Sequence, residues 1–155
     1  MSVSYEIHPS NKVLVYIATG LLSADQVIGA MAAVAKDADY DPGFSVVMVT
    51  DDQVQLEELD YERLREITLA GVDMLGRDTI EGPSYQAIVC PDGMPNIFAN
   101  LFLTAVESNP RARAKHKICK TIAETELWTG CSLAGIEVIE CAVRGEYDRM
   151  RENYG

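Results

Sequence analysis

Positive charge is scarce in this chain of 155 residues. It has 13 lysines and arginines against 24 aspartates and glutamates, so its formal net charge is −11 at pH 7. A field of this sign repels phosphate groups, which argues against nucleic acids and anionic membrane surfaces as partners. The length fits one domain, and a domain of this size buries enough surface to fold without a disulfide or a metal.

Metal ligands and paired thiols are also few. The chain has four cysteines and two histidines, namely Cys90, Cys119, Cys131, Cys141, His8 and His116. No two cysteines have C-x-x-C spacing, so the sequence predicts no metal site and no cofactor. We interpret the thiols as reduced and the protein as cytoplasmic.

Long apolar runs are missing as well. No stretch reaches the roughly 20 residues that a membrane-spanning helix needs. The first residues lack the basic and apolar regions of a signal peptide. The sequence therefore predicts neither integral membrane association nor a cleaved leader.

The chain does contain an alternation of strand and helix patterns. Residues 46–49 are an unbroken apolar run, typical of a strand buried on both faces. Ser23 and Gln26 form the sequence signature of a capping box at a helix start. The whole pattern reads β-β-α-β-α-β-α-β-α, beginning with an antiparallel hairpin. It predicts an α/β domain with parallel pairing in the rest of the sheet and helices on at least one side.

Residues 131–155 are predicted to form a C-terminal helical extension. Five apolar residues recur there at helical spacing, namely Ile136, Ile139, Val143, Tyr147 and Met150. They form one narrow stripe on an amphipathic helix of roughly five turns. The stripe packs either on its own domain or on a second subunit as a homodimer, and the sequence favours neither.

Two predicted loops carry the candidate ligand- or partner-binding residues, because ligands of open sheets bind beyond the carboxyl ends of the strands. These residues are Thr50, Asp51 and Asp52 in one loop, and Cys90, Asp92, Gly93 and Asn96 in the other. Free N–H groups near Gly93 would suit an anion, although Asp92 also has the simpler role of a helix cap. Cys90 lies in an apolar context with no base near it in sequence, so we expect a buried structural thiol.

A local basic patch stands out on this acidic chain. It consists of Arg111, Arg113, Lys115, Lys117 and Lys120. One interpretation is a docking patch for an acidic partner or a phosphorylated ligand. The other is ordinary solvated surface.

The order of elements resembles the STAS superfamily, in particular its SpoIIAA-like group of anti-sigma-factor-antagonist-like domains. The resemblance rests on the N-terminal hairpin, the capped helix from Ser23, the D-P-G-F turn at 41–44, the strand 45–49, the acidic pair after it and the strand 85–90. It covers residues 5–130. It implies a single STAS-like domain over residues 1–130, with a mixed four- to five-stranded sheet and helices mainly on one face.

The resemblance also implies a bacterial protein-interaction or sensory module, without enzyme activity and with an unknown protein partner. Phospho-switch members carry a serine or threonine directly after an aspartate at this loop. Here Asp51 matches the acid and Asp52 replaces the hydroxyl. We hypothesise that Asp52 supplies a fixed negative charge instead of a switched one. The alternative function is a domain that binds a small molecule or lipid between sheet and helices. An enzyme acting through Asp51 or Cys90 is a third.

Overall fold

The computed structural model describes residues 2–57, 61–76, 84–90, 100 and 114–154, and it has the predicted α/β architecture. The strands are β1 (Ser2–His8), β2 (Val13–Thr19), β3 (Leu21–Leu22), β4 (Ser45–Thr50), β5 (Gln55–Leu56), β6 (Ser84–Val89) and β7 (Ala114–Cys119). The described helices are α1 (Ala24–Ala35), α2 (Tyr61–Leu75), α3 (Ile122–Thr129), α4 (Glu137–Arg144) and α5 (Tyr147–Tyr154). Of the predicted helix around residues 95–106, the structure describes residue 100 alone.

The main sheet is mixed and five-stranded, in the order β1-β2-β4-β6-β7. The predicted N-terminal hairpin is confirmed, since β1 pairs antiparallel with β2 through a short turn at Pro9–Asn11. All other pairs in this sheet are parallel. The predicted central strand, β4, is the middle one of the five. A second, two-stranded parallel sheet joins β3 to β5.

The first face of the sheet is covered by α1 and α2. When successive parallel strands are added across a sheet in one direction by right-handed crossovers, the connecting helices lie on the same face. The core on this face contains Leu14, Tyr16, Ala18 and Val46 from the sheet, and Met31, Val34, Leu64 and Ile67 from the helices. A capping box fixes the start of α1, because the Ser23 side chain accepts from Gln26 N and the Gln26 side chain accepts from Ser23 N.

The chain after β7 covers the second face. Its apolar residues Leu133, Ile136, Val138, Ile139 and Met150 pack on the alternate strand positions Val13, Val15, Ile17, Val47, Val49 and Val89. This explains why every residue of β2 is buried. The predicted C-terminal extension is therefore part of the core of the same fold, and none of the described helices is long and apolar enough to cross a membrane.

The extension is helical, as predicted, but it is divided into two short helices instead of one long one, because the chain turns between α4 and α5. Gly145 adopts a left-handed conformation with φ of 73°. Its N–H donates to Ala142 O, and Glu146 N donates to Cys141 O, which is the Schellman pattern that ends a helix. Ile139 and Met150 are fully buried on the protein's own sheet. A homodimer built on the extension would have to use its remaining surface.

Candidate functional site

Asp51 organises the loop at the carboxyl end of β4. Its side chain is fully buried. Oδ1 accepts hydrogen bonds from Gly20 N at 3.2 Å and from Gln53 N at 3.1 Å, so the carboxylate holds its own loop and the loop after β2. Oδ2 accepts from Arg151 Nη1 at 3.0 Å. Both oxygens of Asp51 are thus committed to structural hydrogen bonds.

Arg151, on α5, joins three carboxylates. Besides Asp51, its Nη1 donates to Asp52 Oδ1 at 2.7 Å, and its Nη2 donates to Asp148 Oδ1 at 2.6 Å. Hydrogen bonds to Asp52 first, and then to Asp51 and Asp148, raise the pKa of the guanidinium above its already high value. We call Arg151, Asp51, Asp52 and Asp148 the Arg151 cluster; it carries three acids against one base.

The three ion pairs of the Arg151 cluster differ in solvent exposure. The Asp51 side chain is inaccessible to solvent, whereas that of Asp52 is 52% exposed and that of Asp148 is fully exposed. Exposed ion pairs are weak, because water screens them and long side chains lose freedom on pairing. The ion pair between Arg151 and Asp51 therefore contributes most of the stability of the cluster. Asp52 keeps a solvent-facing carboxylate.

A groove of about 450 Å³ lies beside the Arg151 cluster. It is lined by Asp52, Gly145, Glu146, Tyr147, Asp148, Arg149 and Arg151. The pKa of Tyr147 is raised, first by partial burial and then by the neighbouring ionisable groups of Asp52, Cys90 and Asp51. The groove is formed by the C-terminal helices and the β4 loop, with charged walls. It is not an apolar pocket between the sheet and the helices, which is what lipid binding would need.

Thr50 lies just before the cluster, at the last position of β4. It is fully buried, and its hydroxyl oxygen has no hydrogen-bond partner within the described part of the chain. Thr50 pairs with Ala18, whose side chain belongs to the α1–α2 face of the core. Side chains alternate between the two faces along a strand, so Thr50 and Asp51 point to opposite faces of the sheet.

Cys90 is buried in an apolar setting. It packs with Ile88, and Met48 and Ile118 lie against this pair. Its backbone N–H donates to Cys119 O at 3.1 Å, which extends the pairing of β6 with β7. These contacts fit the expected structural thiol. Asp92, Gly93 and Asn96 lie outside the described residues, as does the anion site predicted around them.

The prediction that both loops border one ligand crevice depends on the order of the strands in the sheet. Such a crevice forms where the strand order of a parallel sheet reverses. The described order β2-β4-β6-β7 runs in one direction without a reversal. In the structure, the C-terminal helix α5 contacts the β4 loop through Arg151. No group of three or more ligating side chains among the described residues is arranged to hold a metal ion.

The basic patch is only partly described. Arg111 and Arg113 lie outside the described residues, while Lys115 and Lys117 are exposed on β7. The Lys115 ammonium lies 6.0 Å from the ring centroid of Tyr85, and that of Lys117 lies 5.7 Å from the ring centroid of Trp128. These lysines therefore belong to a mixed cationic and aromatic surface.

Sequence reasoning missed the partners that complete both places. The sequence predicts Arg151, Tyr147 and Asp148 only as part of an amphipathic helix, and a contact across a hundred residues leaves no local signal. It likewise predicts Tyr85 and Trp128 only as parts of a strand and a helix. Comparisons of the chain with protein-family models, with curated proteins and with solved structures found no significant match.

Proposed function

We propose that this chain is a non-enzymatic interaction or regulatory module of STAS-like type, in which Asp52 supplies a constant negative charge at the loop after the central strand. The observation that supports it is that the two acids differ in burial and in hydrogen bonding. Asp51 is buried and fully hydrogen-bonded, whereas Asp52 is half-exposed and its Oδ1 lies 2.7 Å from Arg151 Nη1. One acid builds the loop and the other presents its charge.

A permanent carboxylate makes this loop independent of a kinase. A phosphorylated hydroxyl would add charge and hydrogen-bond acceptors only when modified. The carboxylate of Asp52 needs no modification, and its hydrogen bond with Arg151 restrains the direction in which it faces. We also propose that the protein is bacterial and cytoplasmic. None of the four cysteines, all of which lie in the described part of the chain, forms a disulfide, as is usual in a reducing compartment.

The test is quantitative partner capture with the full-length protein, followed by binding measurements with the purified partner. We expect Asp52→Asn and Asp52→Ser to weaken binding at least tenfold, since both remove the charge. Asp148→Asn is the matched control, because it also removes a carboxylate from Arg151 but leaves the loop unchanged. Wild-type affinity for both Asp52 variants would refute the proposal, as would turnover of a substrate panel that Asp51→Asn or Cys90→Ala abolishes.

A small-molecule-binding module is the second candidate, and the groove beside the Arg151 cluster favours it. Its volume of about 450 Å³ falls in the range of ligand pockets. Its walls carry Arg149, Asp52, Glu146 and Asp148, which suits a polar ligand with charges of both signs rather than a lipid. Native mass spectrometry of the purified protein tests this directly. A retained ligand that Arg149→Ala releases would support this candidate over the interaction module.

A further inference from the structure

Tyr85 and Trp128 form a partly exposed aromatic pair near one edge of the sheet. Their rings meet edge to face with centroids 5.4 Å apart and planes at 88°. Trp128 Nε1 donates to Gln86 O at 2.9 Å, which fixes the indole on β6. Tyr85 is 36% exposed, and Leu127, next to Trp128, is 86% exposed. Tyrosine and tryptophan are enriched in binding hot spots, because rigid rings supply contact area at low entropic cost.

Two lysines lie over these rings. Lys115 and Lys117 occupy alternate positions of β7, so both side chains point to the second face, where Tyr85 and Trp128 lie. Lys117 also forms a half-exposed ion pair with Glu124 at 3.7 Å, and no carboxylate of the described residues pairs with Lys115. On a chain with a net charge of −11 this is a local reversal of sign.

From this arrangement we propose that Tyr85, Lys115, Lys117, Leu127 and Trp128, together the aromatic–lysine surface, bind an extended acidic segment of a partner protein. The segment carries carboxylates at alternate positions and an apolar side chain for Leu127 and the rings. The inference rests on the proposed interaction function and names the partner's chemistry.

The spacing of the lysines sets the spacing of the acids. Residues two apart on a strand are about 6.7 Å apart, and alternate residues of an extended ligand have the same repeat. β7 is the last strand in the described sheet order, so one of its edges is not paired by another strand of that sheet. An added strand along this edge would place every second side chain on the face of Lys115 and Lys117.

Charge complementarity favours a short acidic segment over other polyanions. Nucleic acids and anionic membranes present many negative charges, which the rest of this acidic protein repels. A segment with two or three carboxylates meets the lysines without placing a long anion along the acidic surface. Lysines on an edge strand have a second known role, since they discourage pairing between sheets of different copies. The experiment separates that role from binding.

The test is selection of binders from a random twelve-residue peptide library displayed on phage, with the full-length protein as bait. We expect enrichment of peptides with Asp or Glu at alternate positions and an aliphatic or aromatic residue beside them. The double substitution Lys115→Glu and Lys117→Glu should weaken their binding at least tenfold, and Leu127→Ser should weaken it without changing net charge. Lys36→Glu with Arg65→Glu is the charge-matched control on exposed sites elsewhere, and it should leave binding within twofold.

Selected peptides without acidic enrichment, or equal binding to the charge-reversed variant, would overturn the inference. So would a charge reversal that changes only self-association in analytical ultracentrifugation, or binding to anionic vesicles in place of peptides. Circular dichroism and thermal melting confirm that each variant folds. A partner that depends on Asp52 but binds the charge-reversed variant with wild-type affinity would refute this surface and leave the proposed function intact.

Discussion

Arg151 Nη1 lies 3.0 Å from Asp51 Oδ2, although the two residues are a hundred positions apart in sequence. The Asp51 side chain is fully buried at the end of the central strand, while the Arg151 side chain is 27% exposed on the last described helix. Burying a charge is costly unless it is paired and hydrogen-bonded. Arg151 therefore fastens α5 to the loop that Asp51 organises, and this contact joins the C-terminal helices to the candidate site.

Replacing Arg151 by alanine tests this contact. We expect Arg151→Ala to lower the free energy of unfolding by about 2–3 kcal/mol, because a buried carboxylate then loses a charged donor. Urea denaturation at pH 7 measures the loss. Arg144→Ala is the matched control in the same segment, since its ion pairs to Glu140 and Glu146 are exposed. It should cost about 1 kcal/mol or less.

A double-mutant cycle with Asp51→Asn isolates the pair. The asparagine keeps an oxygen for Gly20 N and Gln53 N but turns an NH₂ group toward Arg151. Each single substitution should be destabilising, and the double variant should be less destabilised than the sum of the two. Strict additivity would mean that the residues do not interact in solution.

The turn between α4 and α5 depends on Gly145. An L-residue at φ of 73° is disfavoured, so Gly145→Ala should destabilise the protein by about 1–2 kcal/mol. Gly29→Ala is the opposite case, because Gly29 lies within α1 with open space around its Cβ position. It should stabilise the protein by about 0.5–1 kcal/mol. Thermal unfolding of both variants is the measurement, and equal effects in the same direction would contradict the assigned turn.

Tyr147 makes stability depend on pH in the alkaline range. Its pKa in the folded protein is raised above 10, so the folded state holds this proton more tightly than the unfolded chain. The resulting stabilisation is complete below pH 10 and is lost as pH rises through the folded-state pKa. We expect Tyr147→Phe to lose less stability than the wild type as the pH rises above 10. Parallel stability curves for the two proteins over this range would rule out the effect.

The four thiols should differ in reactivity. Cys131 is partly exposed, whereas Cys90, Cys119 and Cys141 are buried. Burial also raises the pKa of Cys119 and Cys141, which lowers their thiolate fraction. Iodoacetamide labelling at pH 8, mapped by mass spectrometry, should modify Cys131 first and the others only when urea is added. Rapid native labelling of Cys90 would contradict its structural role and favour a reactive thiol.

Local signals in the sequence predicted the local structure well. The capping box at Ser23 is confirmed because it depends on residues three apart. The apolar run at 46–49 became the central strand, since a strand covered on both faces needs no polar alternation. Gly145 was also a local signal, but the apolar spacing across it suggested a continuous helix. The left-handed Gly145 ends that helix, because the N–H groups of Gly145 and Glu146 donate to the carbonyls of Ala142 and Cys141 in the last helical turn.

The sequence by itself determined the α/β class, the hairpin, the first helix start and the presence of an acidic pair after the central strand. These follow from periodicity, turn residues and short-range hydrogen bonds. Only the tertiary structure decided that the C-terminal residues cover the second face of the sheet, that Arg151 reaches Asp51 and Asp52, and that Lys115 and Lys117 lie over Tyr85 and Trp128. Each of these depends on segments far apart in the chain, whose proximity is set by packing and strand order.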